Sequence, residues 1–135
     1  MAYEFNRNQQ DFNYVSTVTL LQAGANTANF DLEQVVGGDI EDVVFELAAP
    51  ALLTAQLADS KVITYTLQDS ADGVTFAAVD PLITTTQTGA GGAGAAAKTV
   101  RFRLPAGTRR YVRIAQTVTS SAGTLTAAMV AKLLF

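Results

Sequence analysis

Cysteine, histidine and tryptophan are all absent from this chain of 135 residues. Without cysteine, neither a disulfide framework nor a thiolate metal site can form, so stability must come from packing, strand pairing or partners. Without histidine, the chain lacks the usual general base near neutral pH and the commonest protein ligand of zinc. The sequence therefore predicts a protein that is not an enzyme and has no cofactor and no metal.

Charged residues and long apolar runs are also scarce. Charged residues make up 16% of the chain and hydrophobic residues 49%, which is far from the composition of a disordered segment. The first residues contain no basic segment followed by an apolar core, and no apolar run approaches the roughly 18 residues of a membrane helix. We expect one folded, soluble domain that is made in a cytoplasm and has no membrane partner.

The charges that are present are divided unevenly along the chain. Residues 1–80 hold all 12 acids and two bases, a net charge of −10, whereas residues 81–135 hold seven bases and no acid, a net charge of +7. Such a division can mark a nucleic-acid-binding face, or it can provide attraction between strands or between subunits. Because the pI is about 4.7 and no aromatic runs are interleaved with the bases, we predict no nucleic-acid partner.

Apolar and polar residues alternate with a period of two along most of the sequence. The alternating segments are rich in β-branched and aromatic residues, and Gly, Asn, Asp or Pro separate them. This pattern predicts an all-β fold, an antiparallel β-sandwich of jelly-roll type with about eight strands, in one domain of residues 15–135. Residues 49–60 are predicted to form a long crossover between the sheets. The predicted strands are 15–21, 29–35, 41–49, 61–68, 74–79, 99–104, 110–119 and 124–135.

Two segments fall outside the alternating pattern. Residues 1–14 carry Tyr3, Phe5, Phe12 and Tyr14 among polar residues. They predict either an extended N-terminal arm whose aromatic rings enter grooves on another subunit, or a first strand folded back on its own domain. Residues 86–98, TQTGAGGAGAAAK, offer little to pack and predict a flexible loop at one end of the sandwich.

The stretch TYTLQDSADGVTFAAV, residues 64–79, places two aspartates and a glycine between two predicted strands. A calcium loop of the EF-hand type would need oxygen ligands at alternating positions and a glutamate at its twelfth position. Here Asp69 and Asp72 are three residues apart, and the twelfth position is Asp80, beyond a strand. Because Asp and Ser bond to nearby backbone amides and Gly73 can adopt a positive φ, we predict a hairpin bend.

Three further motifs can be weighed as catalytic or cofactor-binding signatures. The stretch GAGGAG, residues 89–94, fits the glycine spacing of a dinucleotide site, but a strand follows it and no acid occurs after Asp80. Ser60 and Lys61 are adjacent, so their side chains would point to opposite faces of a strand. The acidic cluster DIED, residues 39–42, is typical of a solvated turn. We therefore predict no catalytic site and no small-molecule substrate.

The most distinctive basic segment is RLPAGTRRYVR, residues 103–113, which follows the alternating strand TVRFRL. In that strand Val100, Phe102 and Leu104 share one face, which leaves the arginines between them on the other. Arginine and tyrosine together are typical of interface hot spots. The alternative is a solvated face, or internal ion pairs with Glu33, Glu41 or Glu46. The predicted interface residues here are Arg101, Arg103, Arg109, Arg110, Tyr111 and Arg113.

Several of these motifs occur in an order that resembles a known family. The series FELAAP, YTLQDSADGVTF, RLPAGTRRYVRI and GTLTAAMVAKLLF is similar to the small capsid cement, or decoration, proteins of tailed bacteriophages. The matching features are the bend at 70–76, the Leu-Pro turn at 104–105, the strand at 110–113 and the last strand at 123–133. The resemblance covers residues 15–135, so residues 1–14 are not part of it.

The resemblance implies a structural role rather than a catalytic one. It implies a jelly-roll domain that assembles as a homotrimer on the outer surface of an icosahedral virion and bridges neighbouring subunits of the major capsid protein. A chain with opposite charge in its two halves and aromatics in a terminal arm suits such repeated contacts. The alternative is a carbohydrate- or receptor-binding sandwich of a phage fibre or adhesin, which usually presents exposed aromatic platforms, often Trp.

Overall fold

The computed structural model describes residues 10–32, 44–119 and 123–134, without the side chains of residues 10–14. Over these ranges the chain forms strands and turns and contains no helix, as the alternating pattern predicts. The ten strands in the described residues are β1 (Gln10–Thr19), β2 (Ala25–Asn26), β3 (Phe30–Asp31), β4 (Val44–Ala49), β5 (Val62–Ser70), β6 (Ala77–Ala78), β7 (Thr84–Thr88), β8 (Lys98–Arg103), β9 (Tyr111–Val118) and β10 (Ala128–Leu134).

The strands form two antiparallel sheets. The four-stranded sheet has the order β1-β10-β4-β8. The six-stranded sheet has the order β2-β9-β5-β6, with β3 also paired to β9 and β7 also paired to β5. Residues 50–61 carry the chain from β4 in one sheet to β5 in the other, which confirms the predicted crossover. The predicted antiparallel β-sandwich is confirmed, and its assignment to the jelly-roll type stays a prediction.

Alternate residues of the central strands face between the sheets and form the core. In β5, Ile63 and Tyr65 are at most 1% exposed. Phe45 of the four-stranded sheet meets Phe30 of the six-stranded sheet edge to face, with 5.6 Å between the ring centroids, and stacks on Phe102 at 5.5 Å. Because a fully buried apolar side chain contributes about 1.5–3 kcal/mol, this layer supplies much of the stabilisation of the fold.

A chain of buried hydrogen bonds ties the crossover to β7. The Tyr65 hydroxyl donates to Oε1 of Gln87 at 2.7 Å, and the Gln87 amide nitrogen donates to the carbonyls of Pro50 at 2.8 Å and Ala96 at 2.9 Å. Burial raises the pKa of Tyr65 above its ordinary value. Since a buried polar group left without a partner costs about 1–3 kcal/mol, these bonds fix the start of the crossover.

Of the ten strands in the described residues, β2 and β7 lie outside the predicted segments, and β1, β6 and β10 begin at residues other than those predicted. The first strand, β1, begins at Gln10, so residues 10–14 follow the second alternative, a strand folded back on its own domain; residues 1–9 lie outside the described part of the chain. The sixth strand consists only of Ala77–Ala78. The seventh, Thr84–Thr88, includes the start of the predicted flexible loop. Its sequence, TTTQT, has no apolar residue and therefore no hydrophobic alternation, and the buried position is filled by Gln87.

The glycine- and alanine-rich segment after β7 is bound to the crossover, which corrects the prediction of a flexible loop. Leu52 and Ala95 exchange two backbone hydrogen bonds, at 2.8 and 2.9 Å. A Cβ atom built on Gly94 would overlap the carbonyl oxygen of Leu52, so only glycine allows this approach. The same close approach to crossover carbonyls occurs at two other glycines. We call the three the glycine clasp: Gly89, Gly94 and Gly123.

Candidate interaction surface

The acidic and basic halves of the sequence meet as ion pairs across neighbouring strands. Every ion pair within the described residues joins an acid from residues 1–80 to a base from residues 81–135. The cause is topological, because β3 and β5 pair with β9, and β4 pairs with β8 and β10. The charge division therefore provides attraction between strands, one of the alternatives drawn from the sequence. The pairs are Asp31–Arg110, Glu46–Arg101, Glu46–Lys132 and Asp69–Arg109.

Arg109 fastens the turn before β9 to the end of β5. Asp69 is only 6% exposed, and its Oδ1 accepts hydrogen bonds from Nε of Arg109 at 3.0 Å and Nη2 at 2.7 Å. Its Oδ2 accepts from the backbone N–H of Arg109 at 2.9 Å. The hydrogen bond to Asp69 raises the pKa of Arg109. Arg109 thus serves the fold, and a partner contact for it stays a prediction.

The bend between β5 and β6 is built from side-chain hydrogen bonds, as the sequence predicts. Oγ of Ser70 accepts from the backbone N–H of Gly73 at 3.0 Å and donates to Oδ1 of Asp72 at 2.7 Å. The same Asp72 oxygen accepts from the N–H groups of Val74 and Thr75, both at 2.9 Å. These bonds lower the pKa of Asp72 to about 2, and the bond from the N–H of Thr75 has the largest effect. Gly73 has φ +76°, the positive value expected.

Next to this bend, arginine and aromatic side chains lie together on the outer face of the six-stranded sheet. Tyr111 and Arg113 share this face of β9, as predicted, because Val112 between them is fully buried. The guanidinium carbon of Arg113 lies 4.0 Å from the ring centroid of Phe76, and that of Arg110 lies 5.2 Å from the centroid of Tyr111. We call this group the arginine–aromatic cluster: Phe76, Arg110, Tyr111 and Arg113.

Neighbouring polar groups hold the two arginines of the cluster in place. Nε of Arg113 donates to Oε1 of Gln68 at 2.9 Å, its partner across the β5–β9 pair. Arg110 binds both carboxylate oxygens of Asp31, from Nε and Nη2, at 2.8 Å each. Partial burial lowers the pKa of Arg113, but an arginine stays charged at neutral pH. The cluster is therefore a rigid, positively charged and partly apolar surface.

Arg101 and Arg103 of β8 lie on the outer face of the other sheet. Arg101 and Arg103 are exposed, while Phe102 is half-buried and Leu104 is buried, which confirms the alternation predicted for this strand. Nε of Arg101 donates to Glu46 at 2.5 Å, the one predicted acidic partner that the structure describes. The two faces of the sandwich thus each carry part of the predicted interface set.

The remaining predicted residues belong to the amino-terminal segment. Tyr3 and Phe5 lie outside the described residues, as do Glu33 and Glu41, the other acids proposed as internal partners. Phe12 and Tyr14 lie in β1, but their side chains are not described. The role of these four aromatics as anchors stays a prediction.

A cleft of about 350 Å³ separates the end of β6 from the turn before β9. Asp69 and Arg109 line it together with exposed Asp80, but the first two are bonded to each other. Across residues 10–32, 44–119 and 123–134, no group of three His, Cys, Asp or Glu side chains is close enough to hold a metal ion. The hydroxyl of Thr108, which also lines the cleft, donates to the carbonyl oxygen of Pro105 at 2.7 Å.

Comparisons with known proteins do not assign this surface to a family. No family model matches the chain, and a search of curated proteins finds no match. In the described part of the chain, no helix has the length and apolar character needed to cross a membrane. What the fold defines is thus an all-β sandwich of two antiparallel sheets.

Three residues of this surface were not predicted from the sequence. Phe76 meets Arg113 only because the bend returns the chain beside β5, while Asp31 and Gln68 meet their arginines through the register of β9 with β3 and β5. Register depends on long-range pairing, which alternation alone does not specify. The one local signal was the bend motif, which ends at Phe76.

Proposed function

We propose that this chain is a structural virion protein that binds the outer surface of an icosahedral phage capsid and bridges neighbouring major capsid subunits. The observation that carries the proposal is the arginine–aromatic cluster on the open face of the six-stranded sheet. It is combined with the resemblance of the ordered motifs in residues 15–135 to capsid cement proteins. Assembly as a homotrimer is part of the same proposal and rests on the resemblance alone.

The composition and rigidity of the cluster support a role in protein contact. Tyrosine and arginine are enriched among the residues that dominate interface energies. Gln68 and Phe76 hold the Arg113 guanidinium in one position, so little side-chain entropy remains to be lost on binding. Arg113 makes no ion pair within the described residues, so its charge is available to a carboxylate on a partner.

Bridging requires contact surfaces that two partners can reach at once. The arginine–aromatic cluster lies on the outer face of the six-stranded sheet, and Arg101 and Arg103 lie on the outer face of the four-stranded sheet. The outer faces of a sandwich point away from each other, with the packed core between them. Two capsid subunits could therefore be held on opposite sides of one domain.

Capsid occupancy of an Arg113→Ala variant tests the proposal. Loss of a central interface arginine typically costs about 2 kcal/mol, so we expect affinity for capsids to fall about thirtyfold in co-sedimentation. The matched control is Lys61→Ala, which removes a base just before β5, at the end of the six-stranded sheet away from the cluster. Circular dichroism should show both variants folded. Absence of wild-type binding to any capsid of the source phage would refute the function, and equal occupancy of all three proteins would refute the role of the cluster.

The carbohydrate-binding alternative has one observation in its favour. Two aromatic rings, Phe76 and Tyr111, lie close to hydrogen-bonding side chains such as Gln68 and Asn29. However, the Arg113 guanidinium covers a face of the Phe76 ring, which reduces the flat surface on which a sugar could stack. Binding on a glycan array without binding to capsids would favour this alternative, and the reverse result would favour the capsid role.

A further inference from the structure

β8 forms one edge of the four-stranded sheet, and no strand in the described part of the chain pairs with its outer side. Within the described residues it pairs only with β4, from Val44 opposite Arg103 to Ala49 opposite Lys98. An edge strand of this kind directs unpaired N–H and C=O groups away from its sheet. Such an edge can accept one more strand from another chain.

The core is also incompletely covered at this edge. No residue of β8 is buried, although Val100 and Phe102 point toward the core. Their partners on β4, Leu47 and Phe45, have no exposed surface at all. An added strand would cover the half-buried side chains and extend the core by one layer, which is favourable because it removes apolar surface from water.

The charge on β8 identifies the kind of segment that fits. Lys98, Arg101 and Arg103 are exposed on this strand, and the adjoining acid on β4, Glu46, is only 8% exposed and already bonded to Arg101. Arg103 makes no ion pair in the part of the chain that the structure describes. Like charges placed opposite each other are destabilising, so β8 is poorly suited to pair with β8 of a second copy.

The edge strand β7 of the other sheet differs from β8 because a side chain bonds to part of its edge. Nζ of Lys98 reaches across to the carbonyl oxygen of Thr86 in β7, at 3.3 Å, and so occupies part of the β7 edge. At the far end of β8, by contrast, Arg101 and Arg103 border a shallow hollow of about 350 Å³, together with Val44 and Phe102. Both charge and apolar surface are thus presented at that end.

We propose that β8 binds an extended acidic segment of a partner protein by strand addition. Acidic side chains at alternate positions of the segment would meet Arg101 and Arg103 on the outer face. Apolar side chains between them would cover Val100 and Phe102 on the inner face. The identity of the partner as a capsid protein rests on the proposed function. The inference deepens that function by naming the chemistry of the segment that is bound.

A synthetic peptide in which valine and glutamate alternate tests the inference on the full chain without any capsid. We expect fluorescence anisotropy to detect binding, and hydrogen exchange to show slower exchange of β8 amides when the peptide is present. Arg103→Glu leaves the Arg101–Glu46 pair intact and should weaken binding about tenfold or more, whereas the control Lys61→Glu should not. A peptide alternating valine and lysine should bind the wild-type chain weakly or not at all.

Strand addition is separated from simple charge attraction by the peptide backbone. The same peptide with an N-methyl group on every residue keeps its charge but loses its hydrogen-bond donors along both edges, and we expect it not to bind. Equal binding of the methylated peptide, unaltered exchange of the β8 amides, or no binding of the parent peptide would each overturn the inference. Because no capsid is used, these results are independent of whether the chain binds capsids; peptide binding without capsid binding would refute the proposed function alone.

Discussion

The two ends of the sandwich are held together by different kinds of contact. At the end where β4 and β9 finish, the glycine clasp holds the crossover through backbone contacts, such as the bridge between Leu52 and Ala95. At the opposite end, where β5 finishes and β9 begins, charged side chains hold the turns, as Asp69 does with Arg109. Backbone contacts of this closeness depend on the absence of a side chain, whereas the opposite end depends on particular side chains being present.

This difference predicts that the two ends respond to different changes. The clasp should be sensitive to any added Cβ atom, and the charged end should be sensitive to loss of a carboxylate and to pH. The predicted contact surface, the arginine–aromatic cluster, lies at the charged end, next to the bend. Stability of the clasp and capacity for contact should therefore be separable by mutation.

The largest effect is expected at Gly94. Its φ is +69°, and a Cβ atom would overlap the carbonyl oxygen of Leu52, so Gly94→Ala must break the bridge to Ala95 or displace the crossover. We expect a loss of about 3 kcal/mol in the free energy of unfolding, measured by urea denaturation.

Gly91 provides the matched control for this substitution. It lies in the same loop with φ +62°, but an added Cβ atom would have nothing within 4 Å. Gly91→Ala should therefore cost only the strain of a left-handed alanine, about 1 kcal/mol. If the two variants lose the same stability, close approach is not what selects glycine at Gly94.

The clasp also shows where sequence reasoning reaches its limit. The low complexity of GAGGAG and the alanines that follow it indicates backbone freedom when this segment is considered alone. The meaning of these glycines appears only when the crossover, some 40 residues earlier in the chain, lies against them. The bend at Asp72 was predictable because the hydrogen bonds made by the Ser70 and Asp72 side chains are local, from Ser70 to Thr75.

The strand pattern gives a similar division between what could and could not be predicted. Alternation located β5, β8 and β9 because apolar residues mark their inner faces. It missed β7, whose buried position is a glutamine satisfied by Tyr65, Pro50 and Ala96 from three distant segments. The uneven charge division was visible in the sequence, but the partner of each arginine was fixed by strand register.

A smaller effect is expected from Asp69→Ala at the charged end. The substitution removes a buried acceptor of hydrogen bonds from the Arg109 side chain and backbone, so the turn before β9 loses its attachment to β5. We expect a loss of about 2 kcal/mol in the free energy of unfolding. Asp80→Ala is the control, because Asp80 is an exposed acid on the same cleft. Equal stability of the two variants would mean that the Asp69 pair does not hold this end.

The smallest effect is expected at Asp72, and pH separates it from the others. Hydrogen bonds lower the folded-state pKa of Asp72 to about 2 from an ordinary value of 3.8, so its carboxylate stabilises the fold above the ordinary pKa. That contribution is lost as the pH falls from about 4 through about 2, because the group then binds a proton in both states. The melting temperature of wild type should therefore exceed that of Asp72→Asn slightly at pH 6, and the difference should shrink toward pH 2. The control is Asp80→Asn, which removes an exposed carboxylate outside the bend. A difference that stays constant from pH 6 to pH 2 would show that Asp72→Asn lowers stability for a reason other than loss of the charge. The ionisation of Asp72 would then contribute nothing to the stability of the charged end.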